Sequence, residues 1–167
     1  MEQIQCTYTY DGNGDLISMN LNYVEYYYIR NAQGDIIALS DRNGKIVVNY
    51  TYDSWGKLIS ISGTEKDTVG VKNPYRYRGY RYDVETGLYY LQSRYYNPEW
   101  SRFINADTEF GFMGDLISSN VFIYCKNNPV NMYDLTGKSA ILAGGGLLLG
   151  AGIIVGGILL VGGIVRC

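Results

Sequence analysis

Histidine is missing altogether from the 167 residues. Without an imidazole there is no Ser-His-Asp or Cys-His catalysis and no histidine-dependent metal nuclease site. Cysteine is scarce: Cys6, Cys125 and Cys167 lie too far apart for a CxxC metal pair and are odd in number, so the simplest reading is three free, small apolar side chains. Positive charge is not in excess, with 14 Lys and Arg against 16 Asp and Glu. A nucleic-acid binder needs a basic stripe, so no nucleic-acid partner is expected, and no metal or cofactor motif is visible. The opening Met1-Glu2-Gln3-Ile4-Gln5 has no basic region leading into an apolar one, so no secretory signal is visible in this chain.

What the chain has in abundance is tyrosine, 18 residues against 4 phenylalanines, and glycine, 21 residues. Tyrosine packs a large ring while its hydroxyl keeps a polar partner, and glycine supplies the positive φ of tight turns. Residues 1–72 repeat themselves: Tyr8-Thr9-Tyr10-Asp11 through Gly14 to Leu16-Ile17 is echoed by Tyr50-Thr51-Tyr52-Asp53 through Gly56 to Leu58-Ile59. Weaker copies run from Tyr28 to Ile37 and from Asp41 to Val47. Asn13-Gly14 and Asn43-Gly44 are dipeptides favoured by two-residue hairpins. After the second, Ile46, Val48, Tyr50 and Tyr52 share one face and Val47, Asn49 and Thr51 the other, a strand period. One hairpin cannot bury its own apolar face, so such units stack on neighbours.

Residues 73–138 begin with an alternation of Tyr and Arg, from Tyr75 to Tyr82. The pattern predicts a strand with a buried aromatic and a solvated basic face, a turn over Asp83–Gly87, and a return strand from Leu88 to Tyr95. This stretch, followed by Ser101-Arg102-Phe103-Ile104-Asn105-Ala106-Asp107 and by Asn127-Asn128-Pro129-Val130-Asn131-Met132-Tyr133-Asp134-Leu135-Thr136-Gly137, closely resembles the repeat-associated core of the Rhs/YD-repeat family, found in polymorphic bacterial toxins and related to toxin-complex C proteins. The resemblance implies a mainly β fold, in which antiparallel YD hairpins form part of a hollow β-cocoon and the core closes one end. It also implies a secreted or cell-envelope location, with the rest of an Rhs shell as partner.

In several family members the core is an aspartic autoprotease that cuts after Asp-Pro-x-Gly-Leu. The positions that match its acidic groups are Asp107 and Asp134, with Arg102 matching a neighbouring arginine. Two adjacent carboxylates can divide the acid and base roles, and an arginine can polarise the scissile carbonyl. Here the motif reads Asp134-Leu135-Thr136-Gly137-Lys138. Leucine replaces the turn-presetting proline, and lysine stands where the family buries a small hydrophobe; the bond to be cut is Lys138–Ser139. The plainer alternative is that both aspartates cap turns.

Residues 139–167 form a glycine-rich apolar tail, with no charge from Ser139 to Val165. As a helix that stretch would extend roughly 40 Å, more than the roughly 30 Å of a bilayer's hydrocarbon. Gly146-x-x-x-Gly150 and Gly152-x-x-x-Gly156 would let such helices associate closely. A helical membrane segment over 139–165, apolar cargo packed inside the cocoon, and extended β-structure all remain open. Three readings of function follow: a structural shell end with a membrane-interacting or encapsulated tail, a self-cleaving core, and a surface or carbohydrate-binding module using exposed tyrosines.

Overall fold

The computed structural model describes residues 5–107, 120–138 and 140–142. These fall into two compact units: one holds the residues up to Thr51 together with Ser60–Asn73, the other Tyr52–Ile59 together with those from Pro74 onward.

The first six strands form an antiparallel meander, most of which lies in the first unit, while its Tyr52–Ile59 stretch belongs to the second. Strands β1 (Cys6–Tyr10), β2 (Leu16–Leu21), β3 (Val24–Arg30), β4 (Ile36–Ser40), β5 (Ile46–Tyr52) and β6 (Leu58–Ser62) lie in sequence order. Its turns explain the repeat. At Asp11 the side-chain Oδ1 accepts the backbone N–H groups of Asn13 and Asp15, and Asn31, Asp41 and Asp53 do the same two and four residues on. Beyond that Asp or Asn, such turns need a special residue only where the chain swings back. There Gly14, Gly34, Gly44 and Gly56 take φ between +77° and +87°, which glycine adopts without a Cβ clash.

The Asn-Gly pairs therefore do not form two-residue turns. Tyr10 pairs with Leu16 and Ser40 with Ile46, so five residues make each loop. The two-residue turn lies instead at Asn22-Tyr23, both at positive φ, between the paired residues Leu21 and Val24. In β5 the expected alternation holds from Val48 onward, with Val48 and Tyr50 buried and Asn49 and Thr51 exposed. It fails at the start, where a register shift opposite Leu39 and Ser40 leaves Ile46 exposed and buries Val47. A π-helical turn, Lys66–Gly70, inserts the fully buried Val69. It is tied down by the Tyr50 hydroxyl donating to the Gly70 carbonyl at 2.9 Å.

The second unit is built on β7 (Arg81–Asp83), β8 (Leu88–Tyr90), β9 (Tyr95–Asn97) and β10 (Arg102–Phe103), ordered β10-β9-β8-β7. Three-residue strands joined by four-residue turns repeat every seven residues, so Tyr82, Tyr89, Tyr96 and Phe103 fall opposite one another across the sheet. Their rings form one inward row, with centroid separations of 4.9, 6.4 and 6.0 Å, the spacing of attractive aromatic pairs. Tyr77, Tyr80, Leu91, Tyr124 and Cys125 complete the core. The hydroxyls leave the core towards backbone. Those of Tyr77, Tyr89 and Tyr96 donate to the carbonyls of Ser54, Gly56 and Trp55 at 3.0, 2.9 and 2.7 Å. The Asp53–Gly56 turn is thus capped by three phenols.

Three expectations for this region are corrected. The return strand is broken after Tyr90 by a turn over Leu91–Arg94, in which Gln92 has φ +63°. The basic residues do not form one solvated face: Arg81 is exposed, but Arg76 and Arg78 are buried, Arg76 over the Tyr82 ring at 4.5 Å and Arg78 donating to the carbonyls of Pro129 and Met132. Cys125 is a buried thiol, and Cys167 lies outside the described residues. The first described residues of the tail are also not helical. Ile141–Leu142 form a short strand, β12, paired antiparallel with β11 (Met132–Tyr133). Gly146, Gly150, Gly152 and Gly156, and the helix expected there, lie outside the described residues. Among the described residues no helix is long and apolar enough to cross a membrane.

Two glycines of the second unit separate backbone strain from packing. Gly56 and Gly87 both have positive φ, but a Cβ on Gly56 would sit 2.4 Å from the Tyr77 ring while one on Gly87 meets nothing nearer than 3.8 Å. Gly87→Ala is expected to cost about 1–2 kcal/mol, the left-handed penalty alone. Gly56→Ala is expected to cost a further ~1–3 kcal/mol for overpacking. Urea denaturation of the two variants checks this; equal losses would mean that the turn does not press on the ring.

Candidate functional site

The turn between β8 and β9 delivers Arg94 into the second unit, where its side chain is 6% exposed. A buried guanidinium is tolerated only when its charge and its donors are satisfied. Its Nη1 lies 2.8 Å from Asp107 Oδ2 and its Nη2 lies 3.3 Å from Asp134 Oδ2. Nη1 also donates to the Val121 carbonyl at 3.2 Å, and Nε donates to the Gly137 carbonyl. The flat face of the group lies 3.6 Å from the Phe103 ring centroid, a cation–π contact. One side chain thereby joins the β8–β9 turn, the inner face of β10, the segment entering at Asp107 and the loop after β11.

Asp134 is almost fully buried and is held from several directions. Its Oδ1 accepts the Lys138 N–H at 3.1 Å, and its carbonyl accepts the Tyr80 hydroxyl at 2.6 Å. Asp107 is anchored through its own N–H, which donates to the Val121 carbonyl at 2.9 Å. Both aspartates named from the sequence therefore meet on one cation, whose charge offsets the repulsion between them. Arg102 is not part of the group. It is exposed on the opposite face of β10 from Phe103 and donates through Nε to the Trp100 carbonyl at 3.3 Å.

The arginine that does the joining, Arg94, was missed in the sequence. It stands two residues before the inward Tyr96, so strand parity pointed it inward; only the intervening turn obscured that. Ser93 was also missed: its hydroxyl lies 2.7 and 2.8 Å from the carbonyl oxygens of Thr136 and Gly137. Of the two departures from the family motif, Leu135 is 55% exposed and Lys138 is exposed, so neither side chain enters the buried group. The lysine is not forced into an apolar site, contrary to expectation. Gly137, by contrast, is required. It has φ +72°, and a Cβ there would lie 2.8 Å from both the Leu91 carbonyl oxygen and Ser93 Oγ. Ser139, on the far side of the expected cut, lies outside the described residues.

Burial sets the chemistry of the neighbours. Desolvation pushes the Cys125 thiol up to about 12, so it supplies no thiolate near neutral pH. The Tyr80 and Tyr124 hydroxyls are likewise raised by burial and stay protonated donors.

Removing Arg94 would strand Asp134 in the interior. Arg94→Gln is expected to destabilise the second unit by about 3–5 kcal/mol, the cost of breaking a buried pair from one side. Arg102→Gln, at an exposed position, is expected to stay within about 0.5 kcal/mol of wild type. Chemical denaturation of both variants tests the assignment; similar losses would remove Arg94 from its central place.

The Teneurin YD-shell family profile matches residues 2–134. The tRNA3(Ser)-specific nuclease WapA of Bacillus spizizenii is 44% identical over 131 residues, which are 78% of this chain and 6% of that protein. Toxin protein Tse5 of Pseudomonas aeruginosa is 33% identical over 104 residues, 62% of this chain and 7% of that one. The crystal structure of TcdB2-TccC3-Cdc42 superposes with a TM-score of 0.69 at 23% identity, covering 81% of this chain and 6% of the other, a likeness of fold. This chain thus spans only a small part of the length of the proteins it matches. With its hairpin repeats, its core and these matches taken together, the chain belongs to the Rhs/YD-repeat proteins of the Teneurin YD-shell family.

Proposed function

We propose that this span closes the end of a YD-type β-shell in a toxin-class protein and fixes the point at which an apolar tail leaves the core. The observation that carries the reading is the grip of Arg94 and Ser93 on the Gly137 carbonyl, directly before the uncharged stretch that starts at Ser139. A buried ion group that holds one backbone carbonyl fixes where the chain passes. The nuclease activity in the name of the Bacillus relative belongs to that protein. In this reading the partner is the rest of the shell, and the product works in a secreted or envelope setting.

The tail from 139 to 165 is read as a segment carried by the shell that enters a membrane when presented to one, with Gly146, Gly150, Gly152 and Gly156 as close-packing positions for self-association. Flotation with phospholipid vesicles tests this. The full chain is expected to float with the lipid and a chain ending at Gly137 to stay behind; equal partitioning would remove the membrane from the reading.

A second reading, self-cleavage at Lys138–Ser139, is favoured by one specific observation: Asp107 and Asp134 share Arg94, and Asp134 Oδ1 also accepts the Lys138 N–H. In this chemistry a carboxylate takes a proton from water as the hydroxyl adds to the Lys138 carbonyl carbon, and the proton passes to the departing Ser139 nitrogen. Mass spectrometry of the purified chain is expected to reveal a species ending at Lys138 that Asp134→Asn abolishes. A chain that stays intact would leave the shell-end reading alone.

A further inference from the structure

The motif match accounts for the aspartates and the glycine, but not for the second hand on the loop they belong to. The turn from Leu91 to Arg94 is narrow. Leu91 N–H donates to the Arg94 carbonyl at 3.0 Å, and Ser93 N–H donates to the Leu91 carbonyl at 2.7 Å and, more weakly, to the Thr136 carbonyl at 3.3 Å. With Gln92 in the left-handed region, this turn presents the Ser93 hydroxyl and the Arg94 guanidinium side by side to the same short piece of chain.

The Ser93 hydroxyl has one proton and two acceptors, the carbonyls of Thr136 and Gly137 at 2.7 and 2.8 Å. Two successive peptide groups are therefore addressed from one atom. That is feasible only because Gly137 turns back at φ +72° and has no Cβ to meet Ser93 Oγ. Arg94 supplies the other donor to the Gly137 carbonyl, and Asp134 receives the next N–H, that of Lys138. The orientation of every peptide group from Thr136 to Lys138 is thus set by a side chain, and Ser93 is the one member of the set that carries no charge and no part in the ion pairs.

We propose that Ser93 is a positioning residue for self-cleavage: its hydroxyl fixes the Thr136–Gly137 peptides and so holds Lys138 against the Arg94, Asp107 and Asp134 group. The proposal rests on the self-cleavage reading given above. Ser93 contributes no proton and no nucleophile; it acts through the backbone that it holds. Losing one such hydrogen bond typically releases a segment by a factor of about five to ten.

The test uses the full chain as wild type, Ser93→Ala and Ser93→Thr, with two readouts. The first is hydrogen exchange, followed by mass spectrometry, over Thr136–Lys138. The second is the rate at which the species ending at Lys138 appears. Expected are exchange faster by about five- to tenfold and self-cleavage slower by a similar factor in Ser93→Ala, with both restored in Ser93→Thr, which keeps the hydroxyl. Unchanged exchange in Ser93→Ala would overturn the hold itself. Faster exchange with an unchanged cleavage rate would overturn the positioning role and leave self-cleavage standing. A wild-type chain that never cleaves removes the self-cleavage reading, and the positioning role with it, whatever the exchange shows.

Discussion

A buried guanidinium can exist only where acceptors converge on it, and in the second unit Arg94 imposes that condition on three separate pieces of chain. Asp107, Asp134, Val121 and Gly137 each provide an oxygen, and the Phe103 ring covers the face. None of these residues is near Arg94 in sequence except through the sheet. The small strands of this unit, two or three residues each, have too few ladder hydrogen bonds to stand alone. A satisfied charge at their junction turns several marginal pieces into one, because each contact is strengthened by the low polarity around it.

The aromatic row and the arginine are two halves of one arrangement. Tyr89 and Tyr96 bury their rings and send their hydroxyls to the carbonyls of the Asp53–Gly56 turn, while Tyr80 sends its own to the Asp134 carbonyl. Phenylalanine would bury as much surface but leave those carbonyls without a donor, an expensive outcome inside a protein. This need accounts for tyrosine rather than phenylalanine at positions 80, 89 and 96. The chemistry of the core is quiet as well: burial holds its phenols and its thiol in their neutral forms.

Much of this was legible in the residues, and what was not has a common cause. The hairpin repeat could be read because its signals are local: period-two alternation, and a glycine where φ turns positive. The turn length at Asn13-Gly14 was misjudged because the decisive group was the Asp11 carboxylate, whose two backbone hydrogen bonds lengthen the loop. Asp107 and Asp134 were found by resemblance, and Arg102 was proposed with them although its strand parity turns it outward. Arg76 and Arg78 looked like part of a solvated basic face, and Arg94 drew no notice, because acceptors such as the Pro129 and Gly137 carbonyls lie dozens of residues away. Burial of an arginine depends on partners that only the tertiary fold brings near. Ile141–Leu142 read as the start of an apolar helix, since a two-residue strand leaves no period to detect.

The seven-residue spacing of Tyr82, Tyr89, Tyr96 and Phe103 makes this sheet a counting device. Each strand and turn together advance the chain by one rung and restore the same orientation. A turn shortened or lengthened by a single residue would reverse every side chain after it, sending Tyr96 or Phe103 outward and carrying Arg94 away from its acceptors. Side chains on the outer face, such as Arg81, Tyr90 and Arg102, are exposed and play no part in that arithmetic. The inward row thus depends less on which residues occupy the surface than on how many residues separate the rings.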